Sequence, residues 1–140
     1  MQQSLIARRN REKIDTLDPE FAPNVKLWLL DKRVIEKNVL IVWGRRDEKL
    51  QAKLYADYKA GKGTRAAPPG ESYHGWGQAI DFALCVYIKG EWWPTWDKMT
   101  HPDYRYVSEI AKSYGMTPIS AELGHLQNAK YRTWRDIPKR

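Results

Sequence analysis

Three histidines, one cysteine and a scatter of carboxylates limit the chemistry open to this 140-residue chain. Ser72-Tyr73-His74-Gly75-Trp76-Gly77-Gln78-Ala79-Ile80-Asp81-Phe82 sets His74 in a glycine-bracketed turn that runs into a segment carrying Asp81. Glu122-Leu123-Gly124-His125 supplies a second imidazole with a carboxylate three residues before it. Histidine and aspartate are ligands that zinc accepts, and three protein ligands leave the fourth position for water, the mark of a catalytic site. A free carboxylate beside such a site can take the proton from that water. Each pair alone has common structural explanations. Together they nominate His74, Asp81 and His125 as zinc ligands and Glu122 as general base. The lone Cys85 can form neither an internal disulfide nor a cysteine-rich zinc site. His101 matches no such pattern and reads as structural or surface.

These residues need elements to hold them. Residues 1–17 are polar and basic, with a weak helical pattern. Asp18-Pro19 has the form of a helix start, aspartate as N-cap and proline at the first helical position. Phe21, Val25, Trp28 and Leu29 then form one apolar stripe that fades near Lys32-Arg33. Val39–Trp43 is a short β-branched run ending at Gly44, the pattern of a strand buried on both faces. Asp47 is placed to cap a second helix with Leu50, Leu54, Tyr55 and Tyr58 inward and Gly61 at its end. Residues 61–72 are too rich in glycine and proline for regular structure.

From Gln78 the pattern alternates. Ile80, Phe82, Leu84 and Val86 point one way, and Ala79, Asp81, Ala83 and Cys85 the other, leaving room above Asp81. Lys89-Gly90 predicts a hairpin into Glu91-Trp92-Trp93, broken by Pro94. Pro102-Asp103 precedes a third helix with Tyr106, Val107, Ile110, Ala111 and Tyr114 inward and Gly115 as its cap. Met116–Ser120 is a short strand leading to Glu122 and His125, which the spacing places one helical turn or a tight loop apart. A polar, basic tail covers about 128–140. The sum is a single α+β domain over 1–140: a small antiparallel sheet with helices packed on it and the zinc site at the sheet edge.

With 42% hydrophobic residues, seven Trp and eight Tyr, the chain has the composition of a folded domain. No apolar run is long enough to span a bilayer. The net charge of +7 favours polyanionic partners, nucleic acid or anionic wall polymers among them, with the basic residues gathered at the two ends. The start of the chain lacks the apolar core of a secretory signal, so the expected place of synthesis is the cytoplasm.

Ser72-x-His74-x-x-Gly77-x-Ala79-x-Asp81 resembles the metal-binding signature of the zinc D-alanyl-D-alanine carboxypeptidases and phage L-alanyl-D-glutamate endopeptidases. Glu122-Leu123-Gly124-His125-Leu126-Gln127 is similar to that family's second signature. Gly44-Arg45-Arg46 with Gln51-Ala52-Lys53-Leu54-Tyr55 is similar to a third, and the three stand in the family's order across about residues 18–127. The resemblance implies Zn2+ held by His74, Asp81 and His125, Glu122 as base, and Arg46 reaching the substrate carbonyl or carboxylate. It implies supporting or substrate-contacting roles for Ser72 and Gln51. Arg45 reads as a solvated surface charge. Glu122 departs from the endopeptidases, which often carry Asp there, and no aromatic-Gly-Gly segment precedes it.

The expected protein is therefore a monomeric zinc peptidase of the peptidoglycan stem, cutting the L-alanyl-D-glutamate bond. The alternative within the family is a D,D-carboxypeptidase. As a phage lysis enzyme it would be made in the cytoplasm of an infected host and reach the wall through a holin. Its basic ends would hold anionic wall polymers, with no part for nucleic acid. From another class, a non-catalytic basic protein binding nucleic acid or wall would share the charge but have no use for Glu122. Trp43, Trp92, Trp93 and Trp96 read mainly as core or as props of the site wall, with sugar stacking as the other reading.

Overall fold

The computed structural model describes residues 1–139; Arg140, the last cation of the expected tail, lies outside them. The weak pattern at the start becomes a full helix, α1 (Gln3–Ile14), which buries Ile6 and Ile14. Its Asn10 side chain donates to the Val39 carbonyl (2.9 Å) and accepts from the Ile41 amide (2.7 Å), so a single side chain satisfies the open edge of the first strand.

The next helix, α2 (Ala22–Leu30), starts three residues later than Asp18-Pro19 suggests, with Pro23 in its first turn. The Asp18 amide donates to the Gly77 carbonyl at 3.0 Å and its side chain accepts from the Glu20 amide, which ties residue 18 to a distant turn before the helix can begin. The chain does not fade at Lys32-Arg33 either. Asp31 is extended and caps a further turn, α3 (Lys32–Ile35), by accepting from the Arg33 amide.

The strand β1 (Val39–Trp43) is buried on both faces at its start, and Asp47 caps α4 (Glu48–Lys59) through the Leu50 amide, both as the sequence indicates. The apolar side of α4 does not join the core: Leu50, Leu54 and Tyr55 are half-buried, Tyr58 is exposed, and only Gln51 is buried. A short 3-10 turn, Tyr73–Trp76, leads into β2 (Ala79–Ile88). Lys89 and Gly90 take positive φ and close the hairpin to β3 (Glu91–Thr95). Pro94 does not break that strand, because β3 pairs only with β2 and leaves an edge where a missing amide proton costs nothing. In α5 (His101–Ala111) the inward aromatic is Tyr104 and Tyr106 is exposed, so the helix is turned relative to the expected face. The last strands are β4 (Met116–Ile119) and β5 (Glu122–Asn128).

All ladders are antiparallel, in the order β1-β2-β5-β4 with β3 also on β2. Asp81 is opposed by Trp43 on one side and His125 on the other, while Leu84 is opposed by Val39 and Thr95. β5 and β3 therefore share the edge of β2 that faces away from β1.

One face of the sheet carries the main core, where α2 and α5 pack Phe21, Val25, Trp28, Tyr104 and Val107 on Ile41, Ile80, Phe82 and Leu126. Phe82 meets Trp28 edge-on and stacks with Tyr104, and burying such a side chain contributes about 2–3 kcal/mol. The Trp28 indole satisfies itself on the Val107 carbonyl at 2.9 Å. On the opposite face α1 covers a small cluster of Ile6, Leu40 and Cys85, and a cleft opens beside Asp81. Asp81 stands on this second face, by the alternation that puts Phe82 in the main core. No helix among the described residues is long and apolar enough to cross a membrane. The tail is not loose: Tyr131 and Ile137 are buried, and Lys130 and Tyr131 both bond Glu20.

Candidate metal centre

Three elements bring the proposed ligands together. Asp81 and His125 are directly opposed residues of β2 and β5, so the site lies over the two central strands, where the β1 and β4 ladders both slip register. His74 comes from the 3-10 turn. Ser72 caps that turn by accepting from the His74 amide at 3.2 Å, and Gly77 ends it at φ 69°. A side chain at 77 would also strike the Asp18 amide, so only glycine lets this turn lie against the segment ahead of α2.

His125 Nδ1 lies 2.9 Å and His74 Nε2 3.2 Å from the same oxygen, Asp81 Oδ1. The two rings meet edge-on at 5.2 Å, and both histidines are buried. Their outer nitrogens are already engaged: His74 Nδ1 with the Gly44 carbonyl and His125 Nε2 with Gln127 Oε1, each at 2.9 Å. Each of those acceptors takes the ring proton, which leaves His74 Nε2 and His125 Nδ1 as the lone pairs facing Asp81. His74 Nε2 is buried and, despite its proximity to Asp81, has no hydrogen bond among the described residues.

An orphaned imidazole nitrogen beside a carboxylate oxygen and a second imidazole fits a cation. The donor atoms of His74, Asp81 and His125 lie within 4.8 Å of one another. Tetrahedral zinc with bonds of about 2.1 Å needs donors about 3.4 Å apart. The residues therefore fit zinc with little movement.

Electrostatics favour the same ligand set. Burial works against an ionised Asp81, but His125 and His74 hold its carboxyl well below the usual carboxylate range. Burial likewise works against a charged His125, yet the hydrogen bond and charge of Asp81 raise its pKa. Proton and metal thus compete for one lone pair on His125.

Glu122 Oε2 stands 3.6 Å from His125 Nδ1. In a regular strand residues three apart face opposite ways. Gly124, at φ 78°, reverses that alternation and brings both side chains over Asp81. The pair sits neither on a helix nor in a loop, as the spacing had suggested.

Arg46 Nη2 donates to Asp81 Oδ2 at 2.5 Å, and its guanidinium lies 5.2 Å from the Trp43 ring. Burial lowers its pKa, while Asp81 and Glu122 keep it charged. Gln51 Oε1 accepts from Arg46 Nη1 at 3.5 Å, and its amide donates to the Ala67 carbonyl, so Gln51 links the arginine to the 61–72 loop. Ser72 and Gln51 are both buried, and the bonds they make here are to protein groups. Arg45 holds the Trp76 carbonyl at 3.2 Å, and His101 binds the Trp96 carbonyl at 3.1 Å. Trp93 and Trp96 are about half exposed, so they belong to the surface rather than the core.

The group floors an open cleft of about 1050 Å³. Tyr55, Tyr58, Arg65, Trp96, Ile119 and Leu123 are among the side chains that line it. Three partners carry roles that the motifs did not assign. These are the Gly44 carbonyl on His74, Gln127 on His125 and Trp43 under Arg46. Only Gln127 left a sequence signal, since i+2 spacing on a strand shares a face with His125.

Residues 15–134 match the model of the VanY family, described as D-alanyl-D-alanine carboxypeptidase. The chain belongs to this family. Comparison with curated proteins gives no match. Among solved structures, the LdcB LD-carboxypeptidase aligns at 22% identity and TM-score 0.59, over 81% of this chain and 59% of its own. This chain thus spans about three-fifths of the length of LdcB. VanYB in complex with D-alanine-D-alanine aligns at 20% identity and TM-score 0.56, over 81% of this chain and 71% of its own. The L-Ala D-Glu endopeptidase ChiX of Serratia marcescens aligns at 17% and TM-score 0.57, over 91% and 89%. At these identities the structures establish the shared fold. A VanY D,D-pentapeptidase of similar fold has been solved with Zn(II).

Proposed function

We propose that this chain is a zinc peptidase of bacterial peptidoglycan that cleaves the L-alanyl-D-glutamate bond of the stem peptide. The observation that carries the reading is Glu122 beside His74, Asp81 and His125 at the floor of an open cleft. A structural metal site needs no fourth, unligating carboxylate. Zinc there supplies Lewis-acid polarisation of the scissile carbonyl and a lowered pKa for water. Glu122 accepts the proton of the attacking water and delivers it to the leaving amine. Arg46, already aimed at Asp81, supplies positive charge for the developing oxyanion. Gln127 and the Gly44 carbonyl hold the two imidazoles in the tautomers the ligand set requires.

Endopeptidase action is supported by the open cleft of about 1050 Å³ and by the near-complete mutual coverage with ChiX. The second reading, D,D-carboxypeptidase, is favoured by the family's description and by Arg65 in the cleft, a cation suited to a terminal carboxylate. We place the activity in a phage lysis enzyme, made in the infected cell and released through a holin. Exposed Arg132, Arg135 and Lys139 suit it to anionic wall polymers. Incubating zinc-loaded protein with purified peptidoglycan decides among these. New N-terminal D-glutamate supports the endopeptidase, free D-alanine the carboxypeptidase, and no chelator-sensitive new ends refutes both.

A further inference from the structure

The metal cleft does not end at its own walls. A second groove of about 380 Å³ runs between α1 and the end of β3, and Val42 and Trp96 line both. The two adjoin there, on the sheet face that carries Asp81. The second groove adds Arg9, Glu12 and Lys13, which helical spacing puts on one side of α1. Lys13 Nζ lies 5.4 Å from the Trp43 ring whose other partner is Arg46, so one indole joins the two grooves.

Trp96 is the wall they share, and it is 53% exposed. Its backbone is nevertheless fixed. His101 Nε2 binds its carbonyl at 3.1 Å, the Tyr104 hydroxyl donates to the preceding Thr95 carbonyl at 2.6 Å, and the Asp97 amide donates to Thr95 Oγ1 at 3.2 Å. A half-exposed indole adds little to a core. Held on rigid backbone at the mouth of a groove, it is a flat apolar face for a ligand at low entropic cost. The groove around it sets two cations and a carboxylate beside Leu40, Val42 and Pro94. An apolar ligand would strip water from all three charged groups, and an acidic peptide would meet Glu12. A neutral sugar matches them, its C–H face on the indole and its hydroxyl and amide groups on the charged side chains.

We propose that this groove receives the N-acetylmuramyl sugar of the substrate. The proposal rests on the L-alanyl-D-glutamate reading, because that bond lies one alanine from the lactyl group of the sugar. Trp96 is then a specificity residue, and His101 a positioning residue acting through it.

Two soluble substrates test this, a free stem peptide and the same peptide carried on N-acetylmuramic acid. Zinc-loaded protein is expected to prefer the sugar-bearing one by about tenfold in kcat/KM, the scale of one good aromatic contact. Trp96→Ala brings that ratio close to one, and Trp96→Phe restores part of it. Equal loss on both substrates, or no preference in the parent protein, overturns the proposal. If neither substrate is cut between alanine and glutamate, the bond assignment has failed, and binding decides the sugar separately. For that, zinc-loaded Glu122→Gln is titrated with N-acetylmuramyl-L-alanine while the Trp96 indole N–H resonance is followed, assigned by its loss in Trp96→Phe. A saturating shift supports the groove; an unmoved resonance at millimolar ligand overturns it.

Discussion

Glu122 and His125 are three residues apart on one strand, yet Glu122 Oε2 lies 3.6 Å from His125 Nδ1. The pleat of a strand forbids this unless the alternation is broken between them, and Gly124 breaks it with a φ of 78°. The base and a ligand of the candidate site are thus neighbours because of a residue that carries no chemistry.

Gly124→Ala tests that dependence. A Cβ at 124 meets the Phe82 carbonyl and lies 3.4 Å from Tyr104, and alanine resists positive φ. The variant is expected to lose about 1–3 kcal/mol of stability, read by thermal or denaturant unfolding. Hydrolysis should fall further than the folded fraction does, because relief of the strain turns Glu122 away. Wild-type rates per folded molecule would refute the positioning role.

Glu122→Gln separates the base from the ligands. The change keeps shape and removes the proton acceptor, while the metal donors stay on His74, Asp81 and His125. Zinc content after dialysis should match the parent, and kcat should drop by about 10²–10⁴-fold. Loss of zinc along with activity would make Glu122 a ligand. Chelation of the parent protein should abolish turnover, with recovery on adding zinc back.

Gln127→Leu tests the tautomer of His125. Removing the acceptor at 2.9 Å frees the Nε2 proton and loosens the ring. Zinc affinity, measured by competition with a chromophoric chelator, is expected to weaken about 10–100-fold. An unchanged affinity would mean that Asp81 alone orients the ring.

How much of this was legible in sequence follows from the range of each determinant. Val39–Trp43, the Asp47 cap and the Lys89-Gly90 turn are set by neighbouring residues, and all three formed as read. The grouping of His74, Asp81 and His125 was legible because side-chain chemistry singles out those residue types, whatever the backbone does. Asp18 misled because its amide is used by Gly77, a partner 59 residues away. The sequence pattern puts Tyr106 inward in place of Tyr104 because an aromatic is compatible with either face of α5. The hydroxyl of Tyr104 decides the matter by bonding the Leu84 amide and the Thr95 carbonyl, both outside the helix. Gly124 showed only as a glycine; that it reverses a strand face is a fact about β2 and Phe82 beside it.

Cys85 gives a prediction about the covered part of the second face. Burial pushes its thiol pKa up to about 11, and the side chain packs with Ile6 and Leu40 beneath α1. At pH 8 the native protein should resist a thiol-specific alkylating reagent, and urea should release one reactive thiol. Because the folded pKa is raised, this group's stabilisation is complete below the unfolded value of about 8.5 and is lost as pH rises toward 11. Rapid labelling in native buffer would show that α1 leaves the sheet readily.

The last prediction concerns Asp31, which joins the start of α3 to the 3-10 turn Lys112–Tyr114 that follows α5. Its carboxylate accepts from the Arg33 amide (2.9 Å) and guanidinium (2.9 and 3.1 Å), and from the Tyr114 hydroxyl (2.7 Å). Arg33 first, and Tyr114 second, hold its pKa well below the ordinary carboxylate range. A depressed folded value contributes stability above the unfolded pKa of about 3.9 and loses it as pH falls through that value toward the folded one. Asp31→Asn should therefore unfold at a lower temperature than the parent at pH 7. The two melting temperatures should converge as the buffer is taken below about pH 4. Tyr114→Phe should show a smaller difference with the same pH dependence, since it removes one of the four bonds and leaves the Arg33 pair in place. A gap between Asp31→Asn and parent that stays constant from pH 7 to pH 3 would assign the loss to cap geometry rather than to the charge.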